Sequence, residues 1–201
     1  MKNTASATLL EGSGKTTIDA AHKLTALAKA FEAAPLQSVP GLPRCPPAWT
    51  VTFLDAQQKP LGTLQQCGAS GFLKIGTKVS SLPLTEGEVH RAFGADMGEL
   101  LDGADSMVEA ASGHVSAEPD KVAAWVKAFD PKELPATTAP EHTDEALLTF
   151  TFKKAGKELV TVTAYAPKDD KAMTTQAKLT RDAKDLGWAT LDLGRVFGGG
   201  F

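Results

Sequence analysis

The 201-residue sequence is poor in aromatic residues, in cysteine and in long hydrophobic runs. It contains nine Phe, three Trp, one Tyr and two Cys. No window approaches the roughly 18 uninterrupted apolar residues of a membrane-spanning helix, so no span is predicted. The formal net charge is −3 and the basic residues are scattered, which argues against a nucleic-acid-binding surface.

The N-terminal residues 1–6 lack the apolar stretch of a signal peptide. Two interpretations follow. Either the protein is cytoplasmic and starts natively at Met1, or Met1 begins a mature chain whose export segment was removed. A lipid anchor on the native precursor is compatible with the second interpretation. Hydrophobic residues make up 42% of the chain and charged residues 22%, the composition of an ordinary soluble globular protein.

Two segments of the chain are predicted to form equivalent amphipathic helices. The first covers residues 19–31 and the second residues 120–129. Both place apolar residues at i, i+3, i+4 and i+7, the spacing of one helix face. These residues are Leu24, Leu27, Ala28 and Phe31 in the first helix and Val122, Trp125, Val126 and Phe129 in the second.

The flanks of the two helices also correspond. A short strand precedes each helix, and a Pro-rich loop and an antiparallel hairpin follow it. Residues 50–53 (Thr-Val-Thr-Phe) and 149–152 (Thr-Phe-Thr-Phe) alternate Thr with apolar residues, which is typical of half-buried antiparallel strands. More strand is predicted within 72–79 and 173–193, and an additional helix at 85–101.

We therefore predict an α+β fold built by tandem duplication, with residues 1–104 as the first repeat and 105–201 as the second. Each repeat is a strand, a helix and three to four antiparallel strands, with the helices packed on the antiparallel sheet. Such units leave a broad sheet surface or a groove between the repeats, and surfaces of this kind suit the binding of a partner.

The two cysteines flank the first predicted hairpin. Cys45 lies just before its first strand and Cys67 just after its second, so a turn near residues 57–59 brings them together and predicts a disulfide. Closing a loop of this size stabilises a fold by about 3 kcal/mol in the chain-entropy treatment. The pair favours an oxidising compartment, meaning periplasm, cell surface or medium. Two reduced cysteines in a cytosolic protein are the alternative.

The Pro-rich loop at 35–47 is predicted to be long and exposed, with apolar residues along it. Pro40, Leu42, Pro43 and the nearby Trp49 form a candidate binding loop, because exposed loops often carry recognition. The alternative is a plain connector made stiff by proline.

One pattern in the first half of the chain resembles uncharacterised exported or lipoprotein-type bacterial domains. It consists of the helix at 24–31, Cys45-Pro46, and the two strands at 51–55 and 61–67. That resemblance implies export and carries no known active site. At the level of architecture, the tandem layout is similar to the β-lactamase inhibitor proteins, which implies binding an enzyme across a concave sheet.

The sequence offers little that points to catalysis. Residues 12–16 (Gly-Ser-Gly-Lys-Thr) are close to a phosphate loop, but Leu9 stands where that motif needs its first Gly, so a hairpin turn is predicted. His142 lies among acidic residues that indicate a weak cation site or a solvated loop, namely Glu141, Asp144 and Glu145. No catalytic, cofactor-binding or metal-binding residue is predicted.

The expected function is that of a non-catalytic binding protein outside the cytoplasm, acting on a protein partner or inhibiting it. The alternative is a small-ligand carrier or an enzyme with a pocket between the repeats. His90 or His142 beside a carboxylate in a deep pocket would favour that alternative. A cytoplasmic scaffold protein is a third interpretation.

Overall fold

A computed structural model of the chain describes residues 3–32, 36–83, 86–136, 138–141, 146–167 and 173–197. The chain divides into two compact units, residues 1–94 and residues 95–201. None of the helices in the described ranges has the length and apolar character needed to cross a bilayer.

The first unit is a mixed α and β structure. Its elements are β1 Ser6–Glu11, β2 Gly14–Ile18, α1 Ala21–Glu32, β3 Gln37–Val39, β4 Trp49–Leu54, β5 Pro60–Cys67, β6 Ser70–Ile75, β7 Lys78–Pro83 and α2 Glu86–Phe93. The strands form one antiparallel sheet of seven, in the order β2-β1-β4-β5-β6-β7-β3.

Alternation along the strands builds the core of this unit. In β4 the side chains of Trp49, Val51 and Phe53 are buried, while the threonines between them are half exposed. Both helices cover the buried face, where Leu27 of α1 and Val89 of α2 join the same apolar cluster. Burying a side chain of this size contributes about 1.5–3 kcal/mol, so this cluster orients the helices on the sheet.

The second unit repeats the mixture of helix and strand. Its elements are α3 Met97–Leu100, β8 Ser106–Glu109, β9 Val115–Ser116, α4 Pro119–Lys127, β10 Ala146–Lys154, β11 Lys157–Tyr165, β12 Thr174–Arg181, β13 Lys184–Asp192 and α5 Leu193–Phe197. Its sheet of six antiparallel strands has the order β13-β12-β11-β10-β8-β9. The α+β class and the antiparallel sheets predicted from the sequence are confirmed.

Phenylalanines contribute the largest buried side chains to the core of the second unit. Phe150 and Phe152 of β10 are buried, and their rings lie 5.3 Å apart in a T-shaped arrangement. Trp125 of α4 packs on Phe150 at 4.5 Å and on Phe197 of α5 at 5.9 Å between ring centroids. Trp125 therefore joins both helices to the sheet.

Six strands and two helices follow the same order in the two units, while β3 and α3 have no matching strand or helix. A hairpin (β1-β2 or β8-β9) is followed by a helix (α1 or α4), a four-strand meander (β4 to β7 or β10 to β13) and a last helix (α2 or α5). In each sheet the first strand of the hairpin pairs with the first strand of the meander. The chain segment after the helix then returns to the far edge of the meander in both units, as β3 on β7 and as Ala136 on β13.

The prediction of a single helix at 85–101 was wrong. Helix α2 ends before Gly94, and α3 begins after Asp96 with a capping box. The Asp96 carboxylate accepts a bond from the Glu99 backbone N–H at 2.9 Å, and the Asp96 N–H donates to the Glu99 carboxylate at 3.1 Å. Because this box satisfies the first backbone donors of a new helix, α2 and α3 are separate. The division between the units falls at this break.

Candidate functional site

The sheet of the first unit has a face opposite its helices, which we call the first outer face. Strand register identifies eleven side chains on the first outer face that lie outside the apolar core cluster. They are Thr8, Leu10, Lys15, Thr17, Thr50, Thr52, Thr63, Gln65, Phe72, Lys74 and Ser81. Leu10 is 46% exposed, whereas Thr8, and also Ser6 and Val79, which the register places on the same face, are buried; the remaining members are half or fully exposed.

Threonines form a row across four neighbouring strands of this face. Thr17, Thr8, Thr52 and Thr63 stand opposite one another in consecutive pairs. The hydroxyls of Thr8 and Thr17 lie 3.0 Å apart within hydrogen-bonding distance. Such cross-strand pairs stabilise the sheet. Thr17, Thr52 and Thr63 are accessible to a partner, whereas Thr8 is only 7% exposed.

The second unit has a comparable helix-free face. Thr149 donates to the Thr163 hydroxyl at 3.2 Å, and the Thr151 and Thr161 hydroxyls lie 2.8 Å apart. Trp188 is also on this face, but it is only 8% exposed because Tyr165 packs on its ring at 5.4 Å and Lys178 lies 5.9 Å from its centroid. The second face is therefore polar and threonine-rich, and its large aromatic ring is already covered.

A disulfide joins the predicted pair Cys45 and Cys67, whose α-carbons are 6.2 Å apart. Cys67 is the last residue of β5 and pairs with Ser70, so the bond ties the loop before β4 to one end of the first sheet. In the adjoining backbone, the Ala48 N–H donates to the Gln66 carbonyl at 3.2 Å. The loop therefore ends in a fixed position beside the hairpin.

The candidate binding loop is only partly as the sequence suggested. Pro40 and Leu42 are exposed and Pro43 is half buried. Trp49, however, is 1% exposed and belongs to the core through β4, so including it on the loop surface was wrong. The residues before Pro40 also differ from the prediction, because Gln37–Val39 forms strand β3 at the sheet edge. Recognition by Pro40, Leu42 and Pro43 stays a prediction.

A histidine lies beside a carboxylate in the first unit, at the tip of β1. The His90 Nε2 is 3.3 Å from the Glu11 Oε2, and the side chains are 33% and 53% exposed. The His90 ring meets the buried Trp49 ring edge-on at 6.1 Å. Because both side chains lie at the surface, the contact is a surface ion pair when His90 is protonated.

The remaining candidates for chemistry find no support in the described ranges. These ranges contain no group of three or more His, Cys, Asp or Glu side chains placed to hold a metal ion. His142, Asp144 and Glu145 lie outside the described residues. Residues 12–16 form a hairpin turn and the start of β2, as predicted, with Glu11 paired to Gly14 across the turn.

Comparison with known proteins gave no relative: no protein-family model, curated protein or solved structure matches this chain. The function must therefore be inferred from the surfaces described above. Sequence reasoning predicted sheet surfaces in general but missed the two threonine-rich faces. Their signal was present in the Thr-x-Thr spacing of the strands at 50–52, 149–151 and 161–163, which places threonines on one face.

Proposed function

We propose that this protein is a non-catalytic binding protein that engages a protein partner through the first outer face. The observation that carries the proposal is the sidedness of the first sheet. Both helices of that unit pack on one face, and the other face keeps half-exposed polar residues around the exposed Leu10. A polar surface with isolated apolar residues matches the composition of non-obligate protein interfaces.

The dimensions of the face support a protein partner. Seven strands at a spacing of about 4.8 Å span roughly 29 Å, and the five strands between the two edge strands β2 and β3 have six to eight residues and rise roughly 20–26 Å. The resulting area of about 600–750 Å² approaches the roughly 800 Å² that each protein contributes to a standard interface.

The disulfide supports an extracytoplasmic location. Bonds of this kind persist in the periplasm, at the cell surface and in secreted proteins, and are rare in the reducing cytosol. Cys45–Cys67 also ties the end of the loop that contains Pro40 and Leu42 to β5. The disulfide is the observation that supports our proposal of a location outside the cytoplasm.

We further propose that the two units arose by duplication of one unit. The matched strand orders and the equivalent return of the chain to the far edge of each meander support this origin. The disulfide and the longer β2 then distinguish the first unit from the second. Both features lie on the unit to which we assign binding.

Site-specific photo-crosslinking tests the proposed binding face. Benzoylphenylalanine replaces Leu10 or Lys74 on the first outer face, and in the control it replaces the exposed Lys29 of α1. Each variant is added to extract and culture medium of the native organism and irradiated. We expect one protein to be cross-linked from both face positions and not from position 29. The proposal fails if the two face positions give no adduct, or give only those obtained from position 29.

A further inference from the structure

Strand β2 is an edge of the first sheet, and no described residue adds a strand to it, whereas the long edge of the second unit is covered. In β13, the backbone N–H groups of Trp188, Thr190 and Asp192 each donate to an acceptor of the same chain. The acceptors are the Ala136 carbonyl at 2.9 Å, the Glu133 carboxylate at 2.9 Å and the Ala128 carbonyl at 2.9 Å. Proteins cover edges in this way because unpaired strand edges recruit other chains.

The other two edges of the described sheets are short. β3 has three residues and β9 has two, so neither offers more than a minimal ladder. β2 has five residues, of which Gly14 to Thr17 are exposed. Helix α2 lies near β2, but among the described residues β2 is the longest sheet edge whose outward backbone groups receive no hydrogen bond from another segment.

The register of β2 defines which backbone groups are free. A turn of two residues separates Glu11 from Gly14, so these two form the first hydrogen-bonded pair, and Thr16 and Ile18 follow in the same phase. Lys15 and Thr17 therefore direct their N–H and C=O groups away from β1. No described residue bonds to them from outside the hairpin. An added strand would find two donors and two acceptors in register.

Charge identifies the kind of strand that fits. The Lys15 side chain is exposed and has no carboxylate at ion-pair distance among the described residues, while the nearby Glu11 is engaged by His90. β2 itself reads Gly-Lys-Thr-Thr-Ile and contains no acidic residue. A second copy pairing through β2 would leave Lys15 uncompensated, whereas a strand with an acidic residue opposite Lys15 would complement it.

We propose that β2 accepts an extended segment of a partner protein as an additional strand, with an acidic residue opposite Lys15. This inference rests on the proposed function, because it states how the same partner is bound. The side chains of Lys15 and Thr17 lie on the first outer face, so the added strand would continue that face. Backbone hydrogen bonds would provide affinity and the acidic residue would provide selectivity.

Two synthetic peptides test the edge in the full-length protein. One is acetyl-Thr-Val-Thr-Glu-Thr-Val-Thr-amide, and the other carries Lys in place of Glu. Amide hydrogen exchange is followed by NMR at Lys15 and Thr17. We expect the Glu peptide at saturation to slow exchange of both amides by about tenfold or more. We expect it to bind about threefold more tightly than the Lys peptide.

Variants make the test specific to the edge. Thr17→Pro removes an outward N–H and should abolish peptide binding, while Thr17→Val keeps the N–H and should bind as the wild type does. Lys15→Glu should reverse the preference between the two peptides. This charge-reversal test remains valid even if the Thr17→Pro variant does not fold.

Three results would overturn the inference. They are unchanged exchange at both amides with either peptide, equal binding by the proline and valine variants, or protection that grows with protein concentration alone. The last result would assign the edge to a second copy of the chain. Cross-linking from positions 10 and 74 separates this inference from the proposed function. Adducts without peptide binding refute the strand addition alone, and peptide binding without adducts refutes the binding face alone.

Discussion

A β-carbon built on Gly187 would stand 2.6 Å from the carbonyl oxygen of Ala136. The glycine also has a φ of +109°, a value that side-chain-bearing residues rarely adopt. This close approach allows the backbone bonds between Ala136 and Trp188, through which the segment before residue 137 covers the edge of β13. A glycine at position 187 is therefore required for the segment at Ala136 to pair with the edge of β13.

Gly187→Ala should destabilise the second unit strongly. The added methyl group must displace a backbone carbonyl, and the positive φ adds strain, so we expect the free energy of unfolding to fall by about 2–4 kcal/mol. Gly113→Ala is the matched control, because its φ is +66° but nothing lies within 4 Å of the added carbon. That control should cost only about 1–2 kcal/mol. Urea denaturation measures both, and equal losses would contradict the steric explanation.

Lys23 should stabilise the first unit although it is a buried charged residue. It is 6% exposed, and its Nζ donates to the Gly94 carbonyl at the end of α2 at 2.9 Å. Lys23→Met keeps the stem but leaves that carbonyl without its ammonium donor, so we expect a loss of about 1–3 kcal/mol in unfolding free energy. The exposed Lys29→Met on the same helix should change it by less than about 0.5 kcal/mol. If both variants are equally stable, the contact contributes nothing.

Local patterns were sufficient to predict the meander strands, β4 to β7 and β10 to β13. Thr alternating with apolar residues at 50–53 and 149–152 gave strands with the correct buried face, because this period matches the pleat. The disulfide followed from the same hairpin, since the strand ends had to meet. These features depend on neighbours in sequence or on one turn, and one-dimensional patterns record such relationships well.

The missed features depend on tertiary contacts. β3 lies in a Pro-rich stretch and forms only because β7 offers an edge to pair with. Lys23 is buried because α2 ends above it, which no pattern in α1 indicates. The free edge at β2 requires the strand order to be known. The break at Gly94 could have been predicted, because Asp96 and Glu99 have the spacing of a capping box.

Reduction of the disulfide should weaken the first unit and leave the second unchanged. Cys45 and Cys67 are 22 residues apart, and closing a loop of this size contributes about 3 kcal/mol in the chain-entropy treatment. In the double variant Cys45→Ser with Cys67→Ser, we expect the free energy of opening to fall by about this amount. Hydrogen exchange at the slowest-exchanging amides of residues 49–82 measures it. Amides of residues 148–191 serve as the internal control. A loss spread evenly over both ranges would contradict the local effect.

Asp105 should make stability depend on pH in the second unit. Its Oδ2 accepts a hydrogen bond from the Ala155 backbone N–H at 2.6 Å, and its Oδ1 accepts one from the Ser106 hydroxyl at 2.9 Å. These two bonds lower the pKa of the Asp105 carboxyl group, and the bond from Ala155 has the larger effect. Because the folded-state pKa lies below the unfolded value of about 3.9, the stabilisation is complete above that pH. It is lost as the pH falls through the lowered pKa.

Asp105→Asn should therefore be less stable than the wild type at pH 7, and the difference should shrink as the pH is lowered below about 4. The asparagine has one carbonyl oxygen and no charge, so the Ala155 N–H loses its carboxylate acceptor. Asp182→Asn removes the same charge at the exposed tip between β12 and β13, where asparagine tolerates the positive φ of 50°. This variant is the control for removing one negative charge without these two hydrogen bonds. Urea denaturation from pH 7 to pH 3 measures both variants. A constant gap for Asp105→Asn would show that the two hydrogen bonds do not favour the ionised carboxylate.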